Sequence, residues 1–352
     1  MIDLQDRPIA DRIEGVPIPQ ESRNTIGHDD ALQVLFDSFH SGRMHHAWLL
    51  NGPRGIGKAT AAIQFSKYLL GNPDRDAGAG SFDASRIDEA VHGQVVQGAH
   101  PGLLHLTRPW DEKTKRFKTK LSIEEVRRTS AFYGMTAGAG GWRITIVDAA
   151  NDMNASAANA LLKILEEPPK RSLFLVLSHS AGSLLSTIRS RCQRLNLNPL
   201  SEEQVVAVLK QLAIQASDAD KLNAARLSEG SVRRAIQLIE GTILKEFSLF
   251  EGLMAQPAQG RPADWLVVHK IADTLSRRGQ EDSYHMFLEL VTAWIGQQVR
   301  QNSTEAISQL AGWADVWDKA IQSSAQADAF NLDKKQVILS LFGNLFERKM
   351  QA

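Results

Sequence analysis

The sequence predicts an α/β domain followed by an all-helical remainder, and three observations carry that expectation. AWLLN (Ala47 to Asn51) has a buried-strand pattern, runs straight into the glycine-rich turn GPRGIGK, and continues into an unbroken helical stretch from Ala59 to Leu70. Apolar strand patterns then return at Gly102 to Pro109, Trp142 to Ala150 and Leu173 to Ser180, with helical spacing between them, as in a parallel α/β sheet. From Ser201 onward no β-rich run occurs.

Each element follows in order. Asn24 to Arg43 alternates short apolar clusters with charges and reads as a helix, and AWLLN, the glycine turn and the next helix form one nucleotide-binding unit. Residues 71–102 are rich in Gly, Ala and Asp with little periodicity, and are expected to be an insertion that is partly ordered at best. After the second strand comes a basic patch, Lys113 to Lys120, read as a solvated hairpin or a local DNA contact. Ser122 then precedes a helix bearing Ile123, Val126 and Phe132. A helix with Ala158, Leu161, Leu162 and Leu165 on one face is stopped by Pro168 and Pro169, and RLNLN (Arg194 to Asn198) is a last short strand. Beyond it, Val205, Val208 and Leu209 share one helix, and Gly230-Ser231 starts another. Tyr284, Phe287, Val291, Ile295 and Val299, then Leu310, Trp313, Trp317 and Ile321, recur at helical spacing.

Length and charge narrow the function classes. At 352 residues the chain exceeds one ordinary domain of ~100–200 residues, so two or three are expected. Lys plus Arg number 40 and Asp plus Glu 40, which argues against a broadly basic surface, so any DNA contact is local or shared with partners. A single cysteine, Cys192, excludes an intrachain disulfide and a multi-cysteine zinc module. The first twenty residues carry acids and prolines where a signal peptide needs a basic start and an apolar run, and no stretch approaches the ~18 apolar residues of a membrane span. The expectation is a cytoplasmic protein without a membrane partner.

Four constellations carry chemistry. In GPRGIGKAT, Gly52, Gly57 and Lys58 match G-x-x-x-x-G-K, with Gly55 a further glycine inside the loop, and the backbone N–H groups and lysine of such a loop face phosphate oxygens. The hydroxyl that should follow the lysine to ligate Mg²⁺ is replaced by Ala59, and Thr60, one position late, points about 100° further round the helix. RITIVDAAND brings Asp148 to a strand end, either to support Mg²⁺ or merely to cap the turn, and Ala149 occupies the position of the carboxylate that would polarise an attacking water. In the loop SRC, Arg191 is either an arginine that reaches a phosphate held by a neighbouring subunit or a surface salt-bridge partner, while Cys192 reads as a packed core thiol. GSVRRA places Arg233 and Arg234 in the first turn of a helix, suited to reaching a nucleotide or simply solvated.

Taken together, GPRGIGK, VDAAND, NALLKILEEPP (Asn159 to Pro169), SRC and GSVRRA resemble, in this order and at these separations, the clamp-loader branch of the AAA+ ATPases. The resemblance implies a five-stranded parallel AAA+ domain over residues 1–199, a small three-helix lid over 200–240, and a helical collar over 241–352 that assembles a ring. It further implies a stator subunit of the DNA polymerase III loader, with little or no ATPase of its own, lending Arg191 to the neighbour's ATP. Partners would be the other loader subunits (gamma/tau and delta) through the collar, with the sliding clamp and primer-template DNA met through the complex. Gly52, Gly55, Gly57, Lys58, Thr60, Asp148 and Arg233 would be the nucleotide-side residues, retained or worn, and the sequence leaves binding of ATP and Mg²⁺ open. Many relatives carry four zinc-binding cysteines after the first helix; residues 71–101 carry none, so no zinc is expected, and no residue is assigned as a dedicated metal ligand. The alternatives are a catalytically active gamma/tau-like motor subunit, against which Ala59 and Ala149 speak, and a free-standing P-loop nucleotide enzyme, which needs neither a collar nor an arginine acting in trans.

Overall fold

A computed structural model describes residues 8–74, 80–134, 141–148, 150–256, 264–301, 307–330 and 332–351. The chain divides into two compact units, Met1–Gln215 with Ser228–Arg234, and Ala216–Leu227 with Ala235–Ala352.

In the first unit the elements run α1 (Asp29–His40), β1 (Ala47–Asn51), α2 (Lys58–Gly71), α3 (Glu89–Val96), β2 (Leu103–Leu106), β3 (Trp110–Asp111) and β4 (Arg116–Phe117). They continue with α4 (Ile123–Gly134), β5 (Arg143–Val147), α5 (Ala155–Glu166), β6 (Ser172–Ser178), α6 (Ser186–Arg189), β7 (Gln193–Asn196) and α7 (Glu202–Gln211). Five strands form one sheet in the order β2-β5-β6-β1-β7, and every pairing in it is parallel.

Alternation within the central strands puts apolar side chains on both faces, which a doubly covered parallel sheet requires. Trp48, Leu50, Leu173, Leu175 and Leu177 face α1 and α2, with Phe36, Phe39, Phe65 and Leu69 in one core. Ala47, Leu49, Phe174 and Val176 face the other way, against Val126, Leu161, Leu165 and Ile188. Cys192 is buried in that second core, and desolvation pushes its thiol up to about 12, so the packed-thiol expectation holds.

Two expectations need correction. The Gly/Ala/Asp-rich insertion holds a defined helix, α3, because Asp88 caps its start by accepting from Val91 N at 3.0 Å and Val95 packs into the first core. The sheet strands are also shorter at their ends than the apolar runs suggested, since polar residues such as Thr107, His179 and Asn198 lie in the loops that follow. The basic patch does form a hairpin, β3 with β4, across which Trp110 and Phe117 meet edge to face at 5.0 Å.

The second unit is helical: α8 (Asp218–Leu227), α9 (Val232–Glu240, its first turn in the first unit), α10 (Ile243–Ala255), α11 (Trp265–Leu275), α12 (Glu281–Gln301), α13 (Ile307–Phe330) and α14 (Lys334–Gln351). Phe250 is its aromatic centre, with Phe287, Trp294 and Phe342 at 6.0, 5.3 and 5.8 Å. Among the described residues no helix is long and apolar enough to cross a membrane.

Candidate functional site

The site lies at the carboxyl ends of the parallel strands, where open α/β sheets present their loops to ligands. Residues 52–57 leave β1, Arg108 follows β2 by two positions, Asp148 follows β5 directly, and His179 follows β6 directly. Registers Asn51↔Ser178 and Leu106↔Val147 bring these four loops level.

The glycines of the loop are demanded by space and by backbone. A Cβ on Gly52 would come within 2.4 Å of the Leu197 carbonyl, and one on Gly55 within 2.3 Å of Ser231 Oγ and 2.6 Å of Arg233 Cβ. Gly55 and Gly57 also stand at φ 80° and 106°, the region where side chains are penalised. Beneath the loop, buried His28 donates from Nε2 to the Ile56 carbonyl at 2.6 Å; its burial depresses the imidazole pKa and keeps the ring neutral. Lys58 opens α2 and donates to the carbonyls of Gly52 and Pro53 at 2.7 and 2.6 Å. Desolvation brings its ammonium down to about 8, against the attraction of Asp148. Thr60 sits half-buried in the first turn of α2.

Asp148 Oδ2 lies 3.5 Å from His105 Nε2, and the Gln20 amide donates to His105 Nδ1 at 2.9 Å. Ala149 lies outside the described residues. Asn151 ties this turn to the end of β6, accepting from His179 N at 2.7 Å and donating to the Ser180 carbonyl at 3.0 Å. Burial, then the charges of Lys58 and Arg54, lower the pKa of His179 and leave it a neutral polar group facing the loop.

Arg233 reaches the same place. Its amide donates to the Gly55 carbonyl at 3.3 Å; Gly230, at φ 79°, precedes it because a Cβ there would stand 2.5 Å from the Leu200 carbonyl oxygen, and Ser231 then caps the first turn by accepting from Arg234 N. Gly52, Gly55, Gly57, Lys58, Asp148 and Arg233 are thus brought together by the fold of the first unit.

Arg191 stands apart from this cluster, on the turn after α6. Its Nη1 donates to the Thr187 carbonyl at 3.0 Å and its Nη2 pairs with Glu166 Oε1 at 2.6 Å, with 35% of the side chain exposed. An exposed pair of this kind contributes about 1 kcal/mol or less.

Sequence reasoning missed Arg54, Arg108, His28 and His179, and with them Asp11, whose carboxylate accepts from Arg54 and Arg108 at 2.6 and 2.9 Å. Arg54 lies inside the phosphate-loop motif, and His179 lies in the apolar strand pattern Leu173 to Ser180. The others come from positions whose only link to the loop is tertiary.

Chemically, the cluster offers backbone donors, Lys58 and Arg233 to a phosphate, with Arg54 on the loop and Arg108 after β2 adding two more guanidiniums. It offers Mg²⁺ less: the hydroxyl position is Ala59, and among the described residues no group of three or more His, Cys, Asp or Glu side chains could hold a metal.

Comparison with known proteins bears on the same residues. The family described as "DNA polymerase III, delta subunit" matches residues 27–201. The delta' subunit of Pseudomonas aeruginosa is 36% identical over 162 residues, 46% of this chain and 45% of that protein. The delta' subunit of Escherichia coli is 32% identical over 200 residues, 56% of each chain. The gamma subunit of Buchnera aphidicola is 28% identical over 194 residues, 55% of this chain and 49% of that one. The chain spans about half the length of the curated relatives it matches. By its residues 27–201 the chain belongs to the DNA polymerase III subunit family that includes delta-prime and gamma.

Proposed function

We propose that this chain is the delta-prime-type stator of a DNA polymerase III clamp loader: it joins a ring of loader subunits and supplies Arg191 to ATP held by its neighbour. The observation that carries this reading is the contrast within one domain. The phosphate loop keeps its glycines and Lys58, the positions that would handle Mg²⁺ and water are alanines, and Arg191 stays intact on an exposed turn, held by Glu166 and a carbonyl. Phosphoryl transfer needs positioning and charge stabilisation at the metal and the water, so these losses count against turnover in this chain, while an arginine given in trans serves the neighbour.

ATP, if held, would lie against the loop backbone with Lys58 and Arg233 on its phosphates; it would supply only binding energy here. Residues 200–240 would act as the lid, and 241–352 as the collar that meets the other loader subunits. Clamp and primer-template DNA would be engaged by the assembled ring.

Arg191→Ala in the reconstituted loader tests the reading. Folding and assembly should persist while DNA- and clamp-stimulated ATPase falls. Arginine fingers contribute roughly 10³–10⁵ at their own site, but only one of several sites is affected, so the total loss should be partial. Unchanged turnover in a loader shown to contain the variant returns Arg191 to a surface ion pair. The motor alternative makes a different forecast: ATP turnover by the purified chain, abolished by Lys58→Ala.

A further inference from the structure

The segment before α1 sends one carboxylate into the site. Asp11 Oδ1 accepts from Arg54 Nη2 at 2.6 Å and Oδ2 from Arg108 Nη2 at 2.9 Å. Arg233 donates from Nη1 to the Asp11 carbonyl at 2.5 Å, and its Nη2 lies 3.8 Å from Oδ1. These guanidiniums arrive from the phosphate loop, from the end of β2 and from the first turn of α9. No local sequence pattern gathers them, so their convergence is a property of the fold. Asp152 adds a second carboxylate 3.6 Å from Arg108 Nε, which leaves three positive charges facing two negative ones. Asp11 holds its place with φ at 59°, a conformation a non-glycine residue adopts when its contacts impose it. Burial opposes its ionisation, yet Arg108, Arg54 and Arg233 together hold the carboxyl below its usual range, so it is charged at neutral pH.

We propose that Arg54, Arg108 and Arg233 form an anion site at the mouth of the phosphate loop for the polyphosphate of a nucleoside triphosphate, and that Asp11 is its built-in competitor. A carboxylate and a phosphate oxygen ask the same of a guanidinium, two in-plane acceptors at hydrogen-bond distance, so one set of N–H groups cannot serve both at once. Binding of a triphosphate then requires the segment around Asp11 to leave, and the chain's affinity is set by that exchange as much as by the loop. The inference rests on the phosphate-loop part of the reading above and goes beyond it in naming what opposes binding.

The test is ATP binding by the full chain, followed by calorimetry or a fluorescent analogue, in the wild type, Asp11→Asn and Asp11→Asn with Lys58→Ala. Asn accepts the left-handed region, so the first variant removes charge without disturbing the backbone. Asp11→Asn should bind about tenfold tighter than the wild type, the loss expected from a small network of part-exposed ion pairs, and the double variant should lose the gain. Inorganic tripolyphosphate should show the same gain, since the arginines meet phosphates rather than the base. ATP added to the wild type should speed tryptic cleavage after Arg12. Equal or weaker binding by Asp11→Asn overturns the proposal, as does no binding by that variant at millimolar ATP, or a gain for ATP with none for tripolyphosphate. None of these failures touches the Arg191 reading, which is tested on the neighbour's turnover.

Discussion

Lys58 concentrates the conflict between folding and ligand binding. Its side chain is 5% exposed, and burial brings its pKa from 10.5 to about 8, so at neutral pH the fold carries a buried ammonium at a cost. Between pH 8 and 10.5 the folded chain has released this proton while the unfolded chain still holds it. Stability therefore rises with pH across that window, by about 3 kcal/mol from this one group. Lys58→Met removes the titration. The stability difference between wild type and Lys58→Met, from denaturant unfolding at pH 7 and 10.5, should move toward the wild type by about 3 kcal/mol. A pH-independent difference would mean that the ammonium is solvated in the folded chain. Such a residue is kept at the expense of stability. Gly52 and Gly55 repeat the pattern: each is required by a neighbouring atom within 2.4 Å of where a Cβ would stand, not by helix or strand propensity.

At the scale of elements, periodicity carries the argument only where burial is one-dimensional. The central strands were legible because both faces are apolar, and α5 because Asn154 caps its start, accepting from Ala157 N at 2.8 Å, while Pro168 and Pro169 bar its extension. Helix α3 was not legible, since its only signals are a lone Asp cap and one buried valine within a Gly- and Asp-rich stretch. Of the site, the loop, Asp148 and the Arg233 turn could be read as motifs. The Asp11 cluster could not, because ion pairs between residues 11, 54, 108 and 233 leave no spacing to detect. Trp313 and Trp317 show the same limit within one helix. They lie one turn apart on α13, yet Trp313 is 6% exposed, edge to face with Trp294 at 5.8 Å and under the Arg348 guanidinium at 5.6 Å, whereas Trp317 is 40% exposed. Trp313→Ala should cost about 3–5 kcal/mol of the second unit's stability and Trp317→Ala about 1 kcal/mol or less, measured by chemical denaturation. Equal costs would mean that both rings pack alike.

At the scale of the whole molecule, the exposed side of α13 is one feature that the second unit's own core does not explain. Trp317 and Ile321, 40% and 41% exposed, are four residues apart and so lie on one face of the helix. Large apolar side chains presented together in this way mark surfaces that other proteins cover. If the helical unit is the collar, this face meets a neighbouring loader subunit. The double variant Trp317→Glu with Ile321→Glu introduces charges that water solvates in the free chain but that a subunit contact would have to desolvate. Its own unfolding should therefore shift by about 1 kcal/mol or less, because neither side chain supports the core. Its incorporation into the loader, followed by native mass measurement or size exclusion with the partner subunits, should fall at least tenfold in apparent affinity, since burying even one unpaired carboxylate costs several kcal/mol. Trp313→Phe, a change on the buried side of the same helix, serves as the control that should assemble normally. Full stoichiometric incorporation of the double-glutamate variant would place the subunit contacts on another surface, and the ring would then have to be held together without this face of α13.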